Sequence, residues 1–207
     1  MPAALDQSQA MTKNSPNIKR TQAERRNSSK QAVLSSALTL FGQRGYADTS
    51  IEDIAKDCGL TITPIYHYFG NKKALFAAVV AELEQRIVDS MGGESVDSQL
   101  DNFISHWRAF LDLCEDPGFR RIVLVDSPNI LGRERWADSD VSRNARALMT
   151  EGQHQDLGAR YRQALFARII MAAFMEAALM IAVAEDSRAA RIEAEALIAD
   201  LFSGQAM

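Results

Sequence analysis

The residues from Thr49 to Phe69, TSIEDIAKDCGLTITPIYHYF, constrain this chain more than any other stretch. Thr49 and Ser50 offer N-cap oxygens, and Glu52 and Asp53 follow at capping-box spacing. Ile51, Ile54 and Ala55 recur at 0, +3 and +4, one apolar face of a helix. Cys58-Gly59-Leu60 breaks the pattern, and Gly59 can take the positive φ that ends a helix and turns the chain. Thr61 is placed to cap a second helix, with Pro64 in its first turn, where a missing N–H costs little. Ile65 and Phe69, four apart, turn one face back toward the first helix. Ile62, Thr63, Pro64, Tyr66 and His67 then face outward. A short helix, a glycine turn and a second helix with an exposed uncharged face fit a helix-turn-helix, whose second helix enters the DNA major groove.

The run AKDCGLTITPIYHYFGNKKALF resembles the DNA-binding signature of TetR/AcrR-type transcriptional regulators. The resemblance extends from about Val33 to Phe76. It implies that Thr49, Thr61, His67, Tyr68 and Lys72 match positions that touch phosphates. Ile62, Thr63, Pro64 and Tyr66 match positions that face bases. Ile62 departs from the pattern, because many members carry a polar or basic side chain there. The resemblance further implies an effector site among the middle helices and a homodimer formed through the last two.

Charge supports a nucleic-acid partner, although the net charge of the 207 residues is −4. From Lys19 to Lys73 there are nine basic residues against five acidic ones, so this stretch is basic and the excess of acid lies beyond it. A basic N-terminal quarter on an acidic body is the footprint of a nucleic-acid module joined to something else. Lys19-Arg20 and Arg25-Arg26 read either as a basic arm for the DNA backbone or minor groove, or as a solvated helix start.

The rest reads as all-α. Residues 1–20 are polar and broken by Pro2 and Pro16, as in a disordered tail. Residues 21–70 form the helix-turn-helix unit. Its first helix, about Arg25 to Gln43, carries an apolar stripe of Val33, Leu34, Ala37, Leu38 and Phe41. Residues 71–207 form a larger helical body for effector binding and dimerisation. Asn71 caps a helix from Lys72 to about Met91, the expected mechanical link between the two parts. Further helices are expected over Val96–Cys114, Phe119–Val125, Arg133–Gly152, Ala159–Ala184 and Ser187–Phe202, with breaks at Pro117-Gly118, Pro128-Asn129 and Gly158. The helix from Ala159 is apolar nearly all round, which predicts burial on every side. Glu176 within it is expected to be buried and paired with Arg168 or another cation.

Several function classes find no support. His67, His106 and His154 lie on separate helices with no ligand at metal spacing, and HExxH and CxxC are absent, so no metal or cofactor is expected. There is no GxSxG, P-loop or GxGxxG either. An all-helical enzyme is the weakest reading, and a small-molecule binding protein without DNA binding is the other alternative. No apolar run reaches the ~18 residues of a membrane span, and Cys58 and Cys114 make no disulfide framework, so a cytoplasmic protein is expected. Cys58 reads as a small apolar group at a turn, with a redox role as the alternative. Phe103, Trp107, Phe110, Met171 and Met175, with Phe174, read either as core or as the lining of an adaptable apolar effector site.

Overall fold

The computed structural model describes residues 21–90, 99–132, 135, 143 and 157–203. Their elements are α1 (Gln22–Arg44), α2 (Ile51–Asp57), α3 (Ile62–Phe69), α4 (Lys72–Ser90), α5 (Gln99–Leu113), α6 (Pro117–Arg120), a π-helical turn (Arg121–Asp126), α7 (Ser127–Leu131), α8 (Leu157–Val183) and α9 (Ser187–Ser203). No strand occurs among the described residues, in keeping with the all-α expectation. The expected tail and the basic pair Lys19-Arg20 lie outside them. So does most of the expected helix Arg133–Gly152, of which Arg135 and Arg143 are helical.

α1 starts three residues before the apolar stripe implied. Thr21 and Glu24 form a capping box: Thr21 Oγ1 accepts the Glu24 N–H at 3.2 Å, and Glu24 Oε2 accepts the Thr21 N–H at 2.7 Å. Two of the four free N–H groups at a helix start are thereby engaged at the cap. The helix ends at Gly45, whose φ of 86° a side chain would resist. Phe41 of its last turn packs with Tyr46 and Phe76, with Phe41 and Phe76 edge to face at a centroid distance of 5.1 Å.

These rings open a core that does not stop at the reading unit. It runs from Val33, Phe41, Ile54 and Ile65 through Leu75, Val80 and Ile87 of α4 to Ile104, Trp107, Ile122 and Ile198. α4 contributes to both ends. Its buried Glu84 is paired with Arg135, Oε1 to Nη1 at 2.6 Å and Oε2 to Nη2 at 3.1 Å. On the far side, Arg191 of α9 bonds Asp112 at 2.6 Å, Glu115 at 2.8 Å and Glu195 at 3.0 Å. Arg108 of α5 bonds Glu195 at 2.8 Å.

Three expectations are corrected. First, Pro128 does not break the chain into separate helices. Helical structure is continuous from Pro117 to Leu131, because the π turn closes with Ser127 N–H on the Ile122 carbonyl and Pro128 falls in the first turn of α7. The Asn129 side-chain amide donates to the Val125 carbonyl at 2.7 Å. Second, α8 is not buried on every side within one chain: Leu165 is 59% exposed, Met180 63% and Val183 85%. Its length of apolar surface exceeds what the other described residues cover. Third, Glu176 and Arg168 are both exposed, so Glu176 does not need a buried cation to pair it.

Candidate nucleic-acid interface

α2 is capped by Ser50, with Ser50 Oγ accepting the Asp53 N–H at 3.0 Å and Asp53 Oδ2 accepting the Ser50 N–H at 3.0 Å. The hydrogen bonds from the Ser50 side chain and backbone, aided by Arg44 and Lys56, hold the Asp53 carboxyl below its usual pKa. At the other end, Leu60 N–H bonds the Ala55 carbonyl at 2.9 Å and Gly59 N–H the Lys56 carbonyl at 3.3 Å. These two bonds and a Gly59 φ of 68° are a Schellman closure, which sets a fixed angle between α2 and α3. Buried Ser36 of α1 donates to Asp57 Oδ2 at 2.6 Å and further ties the frame.

α3 is anchored by Ile65, 1% exposed. Around it Thr61, Ile62, Thr63, Tyr66 and His67 are exposed, while Pro64 and Tyr68 are half-buried. Ile62 at 40% and Tyr66 at 47% are large apolar surfaces turned to solvent on an eight-residue helix. Gly70, with φ of 79°, ends the helix, and Asn71 Oδ1 caps α4 through the Ala74 N–H at 2.8 Å.

Four placements depart from the expected arrangement. Thr61 stands at the N-cap of α3 but makes no side-chain cap bond, so its hydroxyl stays at the surface. Thr49 is turned inward, 1% exposed, and its hydroxyl donates to Gly45 O at 2.8 Å and Leu40 O at 3.2 Å. It holds the α1–α2 turn rather than presenting a hydroxyl to solvent. Lys72 Nζ lies 3.3 Å from the Ala47 carbonyl and 4.3 Å from the Tyr46 ring centroid, a cation kept at the edge of the same turn. Arg26, one of the basic residues of α1, lies 3.1 Å from His67 Nε2 through Nη2, and Lys30 one turn on lies over Phe69. No local pattern announces a contact 41 residues apart, so the sequence gives Arg26 no role at α3.

In the body, Trp107, Phe110 and Phe174 are buried, and Met171 and Met175 pack against the same core. The side chain of Phe103 lies outside the described residues. Trp107 lies over Phe174 and stacks beside Phe110 at 6.0 Å, and Phe110 meets Phe119 of α6 edge to face at 6.5 Å. Trp107 Nε1 is buried with no hydrogen-bond partner among the described residues. Burial pushes the Cys114 thiol up to about 12, which leaves it a packing group. Among the described residues no three His, Cys, Asp or Glu side chains gather as metal ligands, and no helix is long and apolar enough to cross a membrane.

Residues 33–79 match the family model described as bacterial regulatory proteins, tetR family. Residues 100–205, half of the chain, match that of the tetracyclin repressor-like C-terminal domain. The chain belongs to the TetR family. As a TetR-family protein it is a DNA-binding transcriptional regulator built on a helix-turn-helix, and not an enzyme. The HTH-type transcriptional regulator RutR of Escherichia coli (strain K12) is 41% identical over 54 residues, 26% of this chain and 26% of that protein. The biofilm operon icaADBC negative transcriptional regulator IcaR of Staphylococcus aureus (strain Newman) is 34% identical over 47 residues, 23% of this chain and 25% of that protein. The curated relatives are therefore matched over only about a quarter of their length. Over the whole TetR-family fold, a regulator from Pectobacterium atrosepticum is similar with a TM-score of 0.64 and 28% identity, covering 90% of this chain and 97% of that one. A TetR variant from Acinetobacter baumannii, solved in complex with minocycline, shares the fold at a TM-score of 0.61 and 17% identity, covering 84% of this chain and 94% of that one.

Proposed function

We propose that this regulator is a cytoplasmic repressor that binds a palindromic operator as a homodimer and is released by a small, largely apolar effector. The observation that carries the reading is the outward face of α3, an uncharged surface of Ile62, Thr63 and Tyr66 on a helix anchored by Ile65. Ile62, Pro64 and the Thr63 methyl cannot make the paired hydrogen bonds by which Arg or Asn reads G or A, but they can pack on thymine methyls. Tyr66 supplies the main polar contact to a base. Thr61, His67, Tyr68 and Lys72 hold phosphates, and Thr49 serves by fixing the turn before α2.

A short α3 reads only a few base pairs, so two copies related by a two-fold axis read a two-fold site. The open apolar surface of α8, with Ile192 and Leu197 of α9, supports dimerisation there. The cluster of Trp107, Phe110, Phe174, Met171 and Met175, with a Trp107 N–H that has no partner among the described residues, supports an effector that is flat or apolar and carries one hydrogen-bond acceptor. Release requires that the effector prefer the state whose two α3 helices are misplaced for the operator, since equal affinity shifts nothing. That the relative from Acinetobacter baumannii binds minocycline and the one from Staphylococcus aureus is a negative regulator fits both halves of the reading.

The test is selection of bound fragments from the native genome, followed by thymine-to-uracil substitution at each position of the half-site. Loss of affinity at one position or more is expected, and indifference at all of them rejects methyl reading. Asp at both Ala172 and Leu197 is expected to give a monomer without operator affinity. A monomer that binds the operator at full affinity rejects the dimer.

A further inference from the structure

The turn that ends α1 is held from outside the reading unit. Arg121, at the start of the π turn, donates from Nη1 to the Gln43 carbonyl at 2.8 Å. Asp126, at its end, accepts the Tyr46 N–H on Oδ2 at 2.9 Å. Gly45 sits between the two, for a Cβ there would lie 3.5 Å from Arg121 Nε and 3.5 Å from Asp126 Oδ2. The Gln43 carbonyl is one of the last four of α1, which have no partner within their helix. Body side chains thus satisfy two backbone groups of the α1–α2 turn.

This turn sets the placement of α2. Thr49 bonds back to Gly45, and Ser50 caps α2 in the next position. Just before the turn, α6 presses its backbone on α1: a Cβ on Gly42 would stand 3.0 Å from the Gly118 Cα. Phe119, beside Gly118, touches Phe110 and so the Trp107 stack. A short continuous path therefore joins the body's aromatic cluster to the turn before the helix-turn-helix, and it does not pass through α4.

We propose that Arg121 and Asp126 are positioning residues for DNA reading, a two-point clamp that fixes the angle of the helix-turn-helix on the body and hence the distance between the two reading helices. The inference rests on the dimeric operator reading above. The π turn gives the clamp two discrete settings. Relaxing it to α-helical register shifts one end by a residue, about 100° at 3.6 residues per turn, and takes one of the two side chains off the turn.

The test uses the full chain and three duplexes: the strongest that the wild-type protein selects from random-sequence DNA, the same with one base pair inserted at its centre, and an unrelated sequence. Arg121→Ala and Asp126→Ala are expected to bind the selected duplex at least about fivefold more weakly, the low end of site-to-site coupling, with binding to the unrelated duplex within about twofold. Their preference for the selected duplex over the inserted one falls accordingly. Asp126→Asn keeps a carbonyl oxygen for the Tyr46 N–H and is expected to keep that preference. An unchanged preference in both alanine variants with an unchanged melting temperature overturns the clamp. So does a uniform loss on all three duplexes with a lowered melting temperature that Asp126→Asn fails to restore, since the residues would then be structural. Wild-type protein that selects no duplex, or ignores the insertion, overturns the dimeric reading and the clamp with it, and shows before any variant is made.

Discussion

Trp107 lies nearly flat on Phe174, ring centroids 4.2 Å apart and planes 24° apart. The stack joins α5 to α8, and both rings are buried. The indole N–H has no acceptor among the described residues, a state that costs about 1–3 kcal/mol for a buried donor. An effector that supplies the acceptor recovers part of this. Trp107→Phe keeps an aromatic ring and removes the donor, so it is expected to raise the effector concentration needed for release by about five- to tenfold, at nearly unchanged operator affinity. Trp107→Ala is expected to cost about 3–5 kcal/mol in a urea melt and so to confound function with folding. If Trp107→Phe is released at the wild-type concentration, no polar contact is made there.

Glu84 and Arg135 should show the asymmetry of a buried ion pair. Glu84 is the more enclosed partner, its side chain 10% exposed against 29% for Arg135. Removing one charge strands the other, so Arg135→Met is expected to cost about 2–3 kcal/mol, somewhat below the range for fully enclosed pairs. The double variant Glu84→Leu with Arg135→Met is expected to recover most of that loss in a thermal melt. Additive losses would show that the pair is no unit.

Lys72→Ala separates phosphate contact from base reading. If Lys72 meets a phosphate, its loss lowers the slope of log affinity against log salt by about one unit and weakens all duplexes alike. The side chain also leaves the Tyr46 ring and the Ala47 carbonyl, a loss of about 0.5–1 kcal/mol in stability. A selective loss on the operator alone, with the slope intact, would place Lys72 in positioning instead.

The clamp of α9 on α5 predicts a pH dependence. Burial works to raise the Glu195 pKa, but hydrogen bonds and charge from Arg108 and Arg191 outweigh it and hold the carboxyl below its ordinary value. A depressed folded value means that the unfolded chain binds the proton more readily. The stabilisation is thus complete above the ordinary carboxylate range and lost as pH falls through the folded value. Glu195→Gln is expected to be less stable than wild type by about 1 kcal/mol at neutral pH, a figure set by partly screened pairs. The difference closes as the pH drops below the carboxylate range. A difference constant with pH would mean the loss is one of shape, not charge.

Gly42→Ala sets two effects against each other. In a helix interior alanine is worth about 1 kcal/mol over glycine. Here its methyl would meet the Gly118 backbone at 3.0 Å, and backbone cannot swing aside as a side chain can. Overpacking of this kind costs about 1–3 kcal/mol, so a net loss in melting temperature is expected. A gain would mean that α6 yields easily.

Local features of the reading unit were legible because each is decided within a few residues. Ser50 with Asp53, the closure at Gly59 and Asn71 with Ala74 all act at spacings of five or less. Thr21 and Glu24 had the same legibility and were overshadowed by the apolar stripe that begins later. Thr49 was misplaced because a threonine before a helix looks alike whether its hydroxyl faces DNA or its own chain. The contacts of Arg26 with His67, Glu84 with Arg135, and Arg121 and Asp126 with the α1–α2 turn span 41 to 80 residues. No periodicity encodes such pairings. Burial of α8 was overstated because an all-apolar helix reports that it wants cover, not which chain provides it.

The core that runs unbroken from α1 through α4 to α9 bears on how such proteins can be recombined. A reading unit cut out at residue 70 would leave behind Phe76, whose ring packs on Phe41 and Tyr46, and with it Leu75 and Val80 of the same core. Any functional chimaera has to carry α4 with α1–α3. Its recipient has to offer a residue as small as Gly118 where α1 crosses, and a side-chain acceptor and a guanidinium at the places of Asp126 and Arg121. Exchange of DNA specificity between regulators built this way is therefore easier by substitution on the face of α3 than by transplanting the head.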